Sequence, residues 1–177
     1  MTERPKLFIE ESFPTAEFGI ESVRERAAAS SLPPIYFLHV WWARRPLVAS
    51  AGAILGSLLP AWSEELSEEF SDHPELATPR AYRKWLLTLC GILGDPVAGR
   101  RQIDAANAKG EKLEGNGYGY KQAYKNSPPP EQVALLHRVL EHTWGRLPSV
   151  LDPTAGGGSI PFEAVRYGLP THANDLN

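Results

Sequence analysis

Residues 149–177, "SVLDPTAGGGSIPFEAVRYGLPTHANDLN", decide the fold because apolar, glycine-rich and helical segments follow one another there in a fixed order. The apolar residues 147–152 predict a strand that ends on the carboxylate of Asp152. Three consecutive glycines remove the Cβ atoms from the turn that follows, so a ligand can approach the main chain closely. The order strand, glycine turn, helix, strand predicts a βαβ unit with parallel strands.

The helix and second strand of this unit have their own start and stop signals. Ser159 is predicted to cap the helix, and Gly168 to end it. Residues 169–173 then predict the second strand, with Asp175 at its carboxyl end. Asp175 lies 23 residues after Asp152 (175 − 152), close to the separation of about 20 residues at which an acid meets ribose hydroxyls in doubly wound folds.

The glycine turn departs from two well-known nucleotide-binding patterns. The dinucleotide pattern G-x-G-x-x-G is satisfied at Gly156 and Gly158 but fails at Pro161. A P-loop needs a lysine after its glycines, and none follows here. Both departures weaken the prediction of an NAD or phosphate-transfer site.

The turn resembles motif I of class I S-adenosylmethionine-dependent methyltransferases, in particular the D-P-F-x-G-x-G-x-T form of amino-methylating DNA methyltransferases. The residues that carry the resemblance are Asp152, Pro153, Thr154, Ala155, Gly156, Gly157, Gly158 and Ser159. Thr154 stands where Phe is usual, and Ser159 where Thr is usual. The resemblance implies that the turn packs against the methionine portion of S-adenosylmethionine. It also implies that Asp152 helps to hold the cofactor's ammonium group and that Asp175 accepts hydrogen bonds from its ribose.

A second segment, "HVWWARRPL" at residues 39–47, combines two tryptophans with two arginines. Together with residues 13–14, the predicted helix around residues 21–26 and residues 158–164, it resembles the DUF1156 family of proposed adenine-specific DNA methylases. In that family "LHLWWARRPL" precedes "DPFAGGGSIPLEALRLG", and "DLNP" follows. This chain reads "DLN" at residues 175–177. The resemblance covers most of the chain except residues 62–130.

The resemblance implies that the tryptophan–arginine segment acts like motif X, which folds over the methionine end of the cofactor. Trp41 or Trp42 would contact the sulfonium, and Arg44 or Arg45 would pair with the carboxylate. In an extended segment successive side chains point to opposite faces, so we expect at most one of the two tryptophans to face the pocket. Which of the four residues meet the cofactor stays open.

The motif that positions the target amino group in such enzymes, Asp or Asn followed by Pro-Pro and an aromatic residue, is not found in the sequence. Only residues 127–130, "SPPP", come near it, and they lack the aromatic residue. No catalytic residue is therefore predicted. We expect the chain to be the cofactor-binding N-terminal portion of an adenine-N6 DNA methyltransferase, inactive alone. Its expected partners are DNA, through the intact parent, and a missing C-terminal half or a second polypeptide.

Two other functions stay open. The chain could be a non-catalytic module that binds DNA or protein through its helical middle and its tryptophan–arginine segment. It could also be a nucleotide- or NAD-binding domain. An exposed sheet edge would in addition allow a homo-oligomer.

The fold class predicted for the whole chain is mixed α/β. Residues 1–130 form a mainly helical region with a Gly/Tyr loop, and residues 131–177 begin an incomplete Rossmann-like methyltransferase sheet. An extended segment is predicted at residues 35–42, and a loop at 114–130. The predicted helices are 15–30, one beginning at Arg45-Pro46 and reaching Leu58, 62–70, 79–93, 96–108 and 131–144. Phe18 and Val23 are expected to share a face of the first helix, and apolar residues 47, 51, 54, 55 and 58 recur at helical spacing in the second. Thr78 is predicted to cap the helix at 79–93, and Gly145 to end the last helix.

Composition narrows the function classes. Eighteen Lys and Arg against 21 Asp and Glu give a net charge of −3, so no overall basic field indicates nucleic acid. The one cysteine, Cys90, lies in an apolar run and is predicted to be buried and inert; it supports neither a disulfide framework nor a zinc site. The N-terminal stretch mixes acids into every short apolar segment, so no membrane span or leader is predicted there. We therefore expect a cytoplasmic protein with no metal.

Overall fold

The computed structural model describes residues 4–27, 32–38, 41, 44–113 and 115–176. This part of the chain is mostly helical, with a small two-stranded parallel sheet. The elements are α1 (Phe8–Glu11), α2 (Thr15–Arg26), α3 (Ile35–Leu38), α4 (Leu47–Leu58), α5 (Glu64–Glu69), α6 (Pro79–Leu89), α7 (Pro96–Lys109), a 3-10 turn (Ala123–Lys125), α8 (Pro130–Trp144), β1 (Val150–Asp152), α9 (Ser159–Arg166) and β2 (Thr171–Ala173).

Local signals set the ends of the middle helices. The Thr78 hydroxyl accepts the backbone N–H of Ala81 at 3.1 Å and caps α6, as the sequence predicts. Helix α8 ends at Gly145, which adopts a left-handed conformation, again as predicted. Helix α6 ends at Leu89, four residues before the predicted end (93 − 89), because Gly91 has a φ of 78° and turns the chain away.

The buried face of helix α2 is not the one that the sequence predicts. Phe18 and Val23 were predicted to share a face, but Phe18 is 4% exposed and Val23 is 62% exposed. That prediction is wrong because five residues in a helix turn through about 500°, which leaves the two side chains about 140° apart. The buried polar residues of α2 are Glu21 and Glu25. The predicted residues 28–30 lie outside the described part of the chain.

The extended segment predicted at residues 35–42 is wrong over Ile35–Leu38, which form the single helical turn α3. Its N–H groups bond back to proline carbonyls, from Tyr36 to Pro33 at 3.0 Å and from Leu38 to Pro34 at 3.3 Å. Prolines have a φ suited to the first turn of a helix, and here they outweigh the strand preference of the aromatic residues. Residues 39, 40 and 42 lie outside the described part.

Helix α4 runs through the centre of the core. Its apolar side chains Leu47, Ala51, Ile54 and Leu55 are buried and Leu58 is half-buried, in agreement with their predicted helical spacing. A Cβ at Gly52 would collide with the ring of Phe18, so the glycine lets α2 lie directly against α4. The helix also packs against α1, α6 and α9. Helices from both the N-terminal and the C-terminal parts of the described chain are therefore positioned relative to α4.

The first turn of α4 is capped by a side chain from another helix. Pro46, at the N-cap position, offers no side-chain acceptor. Instead the buried Glu25 carboxylate accepts the N–H groups of Leu47 at 2.8 Å and Val48 at 3.1 Å. The Tyr36 hydroxyl lies 2.9 Å from the same carboxylate and 2.6 Å from the carbonyl oxygen of Arg45. Burial raises the pKa of Glu25, and its hydrogen bonds oppose that rise.

The Gly/Tyr loop is held against α2. The guanidinium of Arg24 lies over the rings of Tyr118 and Tyr120, 4.3 and 4.7 Å from their centres. The Tyr120 hydroxyl donates to Glu21 at 2.6 Å, and the N–H of Ala123 reaches the same carboxylate at 3.3 Å. These contacts hold both tyrosines against the protein itself.

One hydrophobic cluster includes residues from both sides of position 130, among them Leu55, Leu86, Leu136 and Ala164. Cys90 belongs to it, and the prediction that this cysteine is buried is confirmed. Burial also raises the pKa of its thiol, so the reactive thiolate is disfavoured.

The βαβ order predicted for the C-terminal stretch is confirmed, since α9 connects β1 to β2 and the two strands pair in parallel. Val150 lies opposite Thr171, and Asp152 lies opposite Ala173. Each strand is three residues long, shorter than predicted. The middle side chain of β1, Leu151, is 71% exposed.

The Glu25 cap generates a stability prediction. Glu25→Ala is expected to lower the free energy of unfolding by about 2–4 kcal/mol, because two buried N–H groups lose their acceptor. Urea denaturation measures this loss. The matched control is Glu68→Ala on α5, an exposed glutamate, which is expected to change the value by less than about 0.5 kcal/mol. Equal effects of the two substitutions would contradict the role assigned to Glu25.

Candidate functional site

The glycine turn lies between the carboxyl end of β1 and the start of α9. Gly156 and Gly158 have φ values of 51° and 74°, which side-chain-bearing residues rarely adopt. Gly158 is the N-cap residue of α9, and Ser159, the predicted N-cap, is instead the first helical residue. The prediction for Ser159 is wrong by one position because the left-handed glycine already turns the chain into the helix. The Ser159 hydroxyl points inward and hydrogen-bonds to Ser50 at 3.1 Å.

Both predicted aspartates contact the turn. Asp152 is buried, and its carboxylate accepts the N–H of Thr154 at 3.2 Å. Asp175 accepts the N–H of Gly156 at 2.6 Å. The N–H of Ala155 also donates to the carbonyl of Asn174 at 2.9 Å. The carboxyl ends of the two strands therefore fix the conformation of the turn.

The tryptophan–arginine segment lies over the turn. A Cβ added to Gly156 would lie 2.9 Å from the indole nitrogen of Trp41, so the indole already rests against the main chain there. Arg44 is half-buried, and its Nε donates to the Trp41 carbonyl at 3.2 Å. Arg45 is exposed. Trp42 lies outside the described residues, so three of the four predicted residues of this segment have a place at the turn.

These two segments line a common cleft. Its walls are formed by Tyr36, Trp41, Arg44, Arg45, Thr154, Ala155, Gly156, Gly157 and Ser159. Asp152, Pro153 and Gly158 are adjacent in sequence to the lining residues, and Asp175 contacts Gly156, but none of these four lines the cleft. The charged groups in the lining are two arginines without a carboxylate, so the cleft favours an anionic group.

The enclosed part of the cleft is small. Its volume is about 90 Å³, whereas pockets for drug-sized ligands measure roughly 300–1,000 Å³. The enclosed part is therefore several times too small for a whole ligand of that size. It therefore suits one polar end of a larger ligand, with the remainder lying outside the enclosed part.

The contact between α4 and α9 explains why residues more than 100 positions apart meet. Ser50 in the first turns of α4 bonds to Ser159 at the start of α9, 109 residues later. Helix α4 begins just after Arg45 and Pro46, and α9 begins just after the glycine turn. The positive end of α9 consequently lies at the cleft, where it favours an anion, whereas the first N–H groups of α4 are already bonded to the Glu25 carboxylate.

Sequence reasoning missed the residues that hold the segments in place. The sequence places Glu25 only within the family resemblance at residues 21–26 and Tyr36 only within the predicted extended segment. It assigns no structural role to them or to Ser50, although all three connect elements that border the cleft. Ser50 is a polar residue within an apolar helix, which was a visible signal. Glu25 has no comparable signal, because an acid in an amphipathic segment normally faces water.

A buried ion pair lies behind the cleft, one turn into α9. Glu163 is fully buried, and the guanidinium of Arg166 donates to it at 2.9 Å. Burial raises the pKa of Glu163 from its ordinary value of 4.5 to about 7, although Arg166 acts in the opposite direction. The negative charge of Glu25 adds to the rise. Glu163 therefore exchanges its proton near neutral pH.

Two kinds of feature are not found among the described residues. No helix there is both long and apolar enough to cross a membrane. No group of three or more His, Cys, Asp or Glu side chains in the same residues is placed to bind a metal ion.

Comparison with known proteins gives one match. Residues 12–84 match the sequence profile of the family described as "Protein of unknown function (DUF1156)". No curated protein and no solved structure was found to be similar to the chain. The matched range contains Glu25, Tyr36, Trp41, Arg44 and Arg45, but it does not reach the glycine turn. The match supports the resemblance of this chain to the DUF1156 family over the tryptophan–arginine half of the cleft.

The buried Glu163 generates a pH prediction. Its folded-state pKa of about 7 exceeds the ordinary 4.5, so between these values the folded chain holds a proton that the unfolded chain releases. The stability of the wild-type chain is thus expected to fall as pH rises from 4.5 to 7, by at most about 3 kcal/mol from this group. Glu163→Gln removes that dependence.

The measurement is the melting temperature at pH 5 and pH 8. The melting temperature of Glu163→Gln, relative to that of wild type, should be higher at pH 8 than at pH 5. Glu141→Gln, at an exposed position of α8, serves as the control and should show the wild-type dependence. A pH-independent difference for Glu163→Gln would contradict the raised pKa.

The contact between Trp41 and the turn generates a paired prediction. Gly156→Ala and Gly158→Ala both place a side chain at positive φ, which costs about 1–2 kcal/mol each. Only the Cβ at position 156 meets Trp41, because at position 158 the nearest atom is 3.9 Å away on Ile35. Gly156→Ala should therefore cost about 1–3 kcal/mol more than Gly158→Ala.

A double-mutant cycle checks this assignment. In a Trp41→Ala background the extra cost of Gly156→Ala should disappear, while the cost of Gly158→Ala should stay the same. If Gly156→Ala costs more than Gly158→Ala by the same free energy in the Trp41→Ala background as in wild type, Trp41 does not pack on the glycine turn.

Proposed function

We propose that this chain is the S-adenosylmethionine-binding portion of a DNA adenine-N6 methyltransferase. The observation that carries the proposal is the shared cleft, in which Trp41, Arg44 and Arg45 meet residues 154–157 of the glycine turn. Each segment alone resembles a motif associated with that cofactor. Their contact across more than 100 residues is what a joint binding site requires.

The chemical groups at the cleft fit the amino-acid end of the cofactor. The exposed guanidinium of Arg45 can pair with a carboxylate through two parallel hydrogen bonds, and the start of α9 reinforces that attraction. Arg44 is partly engaged with the main chain and with the ring of Tyr36, which suits it better to holding Trp41 in position. The indole of Trp41 offers a π-face to a sulfonium.

The size of the cleft determines how much of the cofactor it can enclose. A volume of about 90 Å³ fits the carboxylate and ammonium end alone. The ribose and adenine would then extend across the open carboxyl ends of β1 and β2, toward Asp175. A carboxylate has about four acceptor positions, so the hydrogen bond of Asp175 to Gly156 is compatible with further bonds to ribose hydroxyls.

The chain's contribution to methyl transfer would be binding and orientation. When bound, the cofactor supplies an electrophilic methyl group on its sulfonium. Arg45 and the turn would fix the methionine end, and Trp41 would shield one side from water. Fixing this geometry in advance lowers the entropic part of the barrier. No residue of this chain is assigned to hold the target base or to accept its proton.

A second candidate is a non-catalytic module that docks another polypeptide. The specific observation in its favour is the exposed Leu151 at the centre of β1. Parallel sheets are normally covered on both faces, and α9 covers only one. An NAD-binding domain has no such support, because Pro161 stands in α9 where the third glycine of the dinucleotide pattern would lie.

Calorimetric titration with S-adenosylmethionine, S-adenosylhomocysteine and NAD tests the proposal. Binding of both adenosyl compounds but not of NAD is expected. Arg45→Gln should weaken that binding about tenfold or more, because a charge-assisted hydrogen bond contributes about 1.5–3 kcal/mol. Arg146→Gln is the matched control, since Arg146 is exposed and precedes the amino end of β1, whereas the cleft lies at the carboxyl end of that strand.

Two outcomes would contradict the proposal. Binding of NAD alone would assign the turn to a dinucleotide. Absence of binding to all three ligands, with the chain folded, would favour the docking module.

A further inference from the structure

A second cavity of about 490 Å³ lies between α6 and the start of α7. Three cationic side chains of α6 line it: Arg80, Arg83 and Lys84. Its apolar lining includes Leu87, the buried Ile92 and the exposed Leu93. We call this cavity the α6 groove. It combines a positively charged wall with an apolar floor.

The acidic residues in the α6 groove are already engaged. Glu17 forms an ion pair with Arg83 at 2.8 Å, and Asp95 caps α7 by accepting the N–H of Ala98 at 2.9 Å. Arg80 and Lys84 are both exposed, and neither forms an ion pair with another described residue. They are four residues apart in one helix, so their side chains project from the same face.

Helix α7 extends the positive charge beyond the groove. Pro96 and Val97 line the groove, and Arg100 and Arg101 follow each of them by four residues on the same side of the helix. Arg101 is exposed, whereas Arg100 pairs with Asp104 at 2.9 Å. A local basic strip thus exists on a chain whose net charge is −3.

We propose that the α6 groove and this strip bind the sugar–phosphate backbone of duplex DNA. Phosphates would contact Arg80 and Lys84, while the apolar floor would accept the sugar edge. Such contacts position a duplex without reading its sequence. The choice of DNA over other polyanions rests on the proposed methyltransferase function. The observation that the groove is basic is independent of that function.

The position of the groove relative to the cleft fits this role. Glu17 lines the groove, and Glu25 caps the helix that borders the cleft; both belong to α2. Eight residues of α-helix span about 12 Å. One turn of B-DNA measures about 34 Å, so a duplex held in the groove can place a neighbouring nucleotide near the cleft.

The test is fluorescence anisotropy of a labelled 20-base-pair duplex with the 177-residue chain, over a salt series from 50 to 200 mM. The variant is Arg80→Gln with Lys84→Gln, and the matched control is Lys109→Gln with Lys112→Gln, also two exposed cations. Removing two phosphate contacts should reduce the slope of log K against log salt by about 1.8. Between 50 and 200 mM salt, the factor by which the affinity falls should therefore be about twelve times smaller for the variant than for wild type.

The proposal is supported if the groove variant binds more weakly with the reduced slope and the control keeps the wild-type values. It is overturned if the two double variants lose affinity equally, if the groove variant binds like wild type, or if an acidic peptide binds the groove in preference to the duplex. Melting curves check that both variants fold. Titration of the same proteins with S-adenosylhomocysteine tests the cleft separately, so failure of the groove leaves that result standing.

Discussion

The arrangement of the cleft depends on one buried carboxylate. Glu25 bonds the first N–H groups of α4, where Pro46 leaves them without a local acceptor. This cap fixes where α4 begins and hence the position of Arg44 and Arg45, which directly precede the helix. Because Tyr36 contacts the same carboxylate, the turn before the tryptophan is tied to the same point. Three hydrogen bonds offset part of the cost of burying Glu25, and burial raises the pKa of its carboxyl group in spite of them.

Helix α4 transmits this constraint to the other half of the site. Small residues on α4 allow close packing with its neighbours, and Ser50 fixes the start of α9 through Ser159. The tryptophan–arginine segment and the glycine turn are therefore positioned by packed helices. Rigid helical support of this kind keeps a binding geometry more constant than loops could. Both halves of the cleft consequently belong to the same packed core.

Local signals in the sequence predicted those features that depend on neighbouring residues. The cap at Thr78, the end of α8 at Gly145 and the parallel βαβ order all follow from short-range chemistry. The error at Ile35–Leu38 arose because β-branched and aromatic residues were given more weight than the preceding prolines. Glu25 and the indole of Trp41 meet partners more than 20 and 100 residues away. The family resemblance alone implied that Trp41 lies near the glycine turn, and no pattern in the sequence implied the pairing of Glu25 with α4.

The central claim is that two distant segments form one binding site. A ¹⁵N-labelled sample titrated with S-adenosylhomocysteine tests it most directly, with the Trp41 indole signal assigned by comparison with Trp41→Phe. The account predicts that this indole and the amides of residues 155–158 shift together, with one common affinity. Shifts confined to one of the two segments, or shifts with two different affinities, would contradict it.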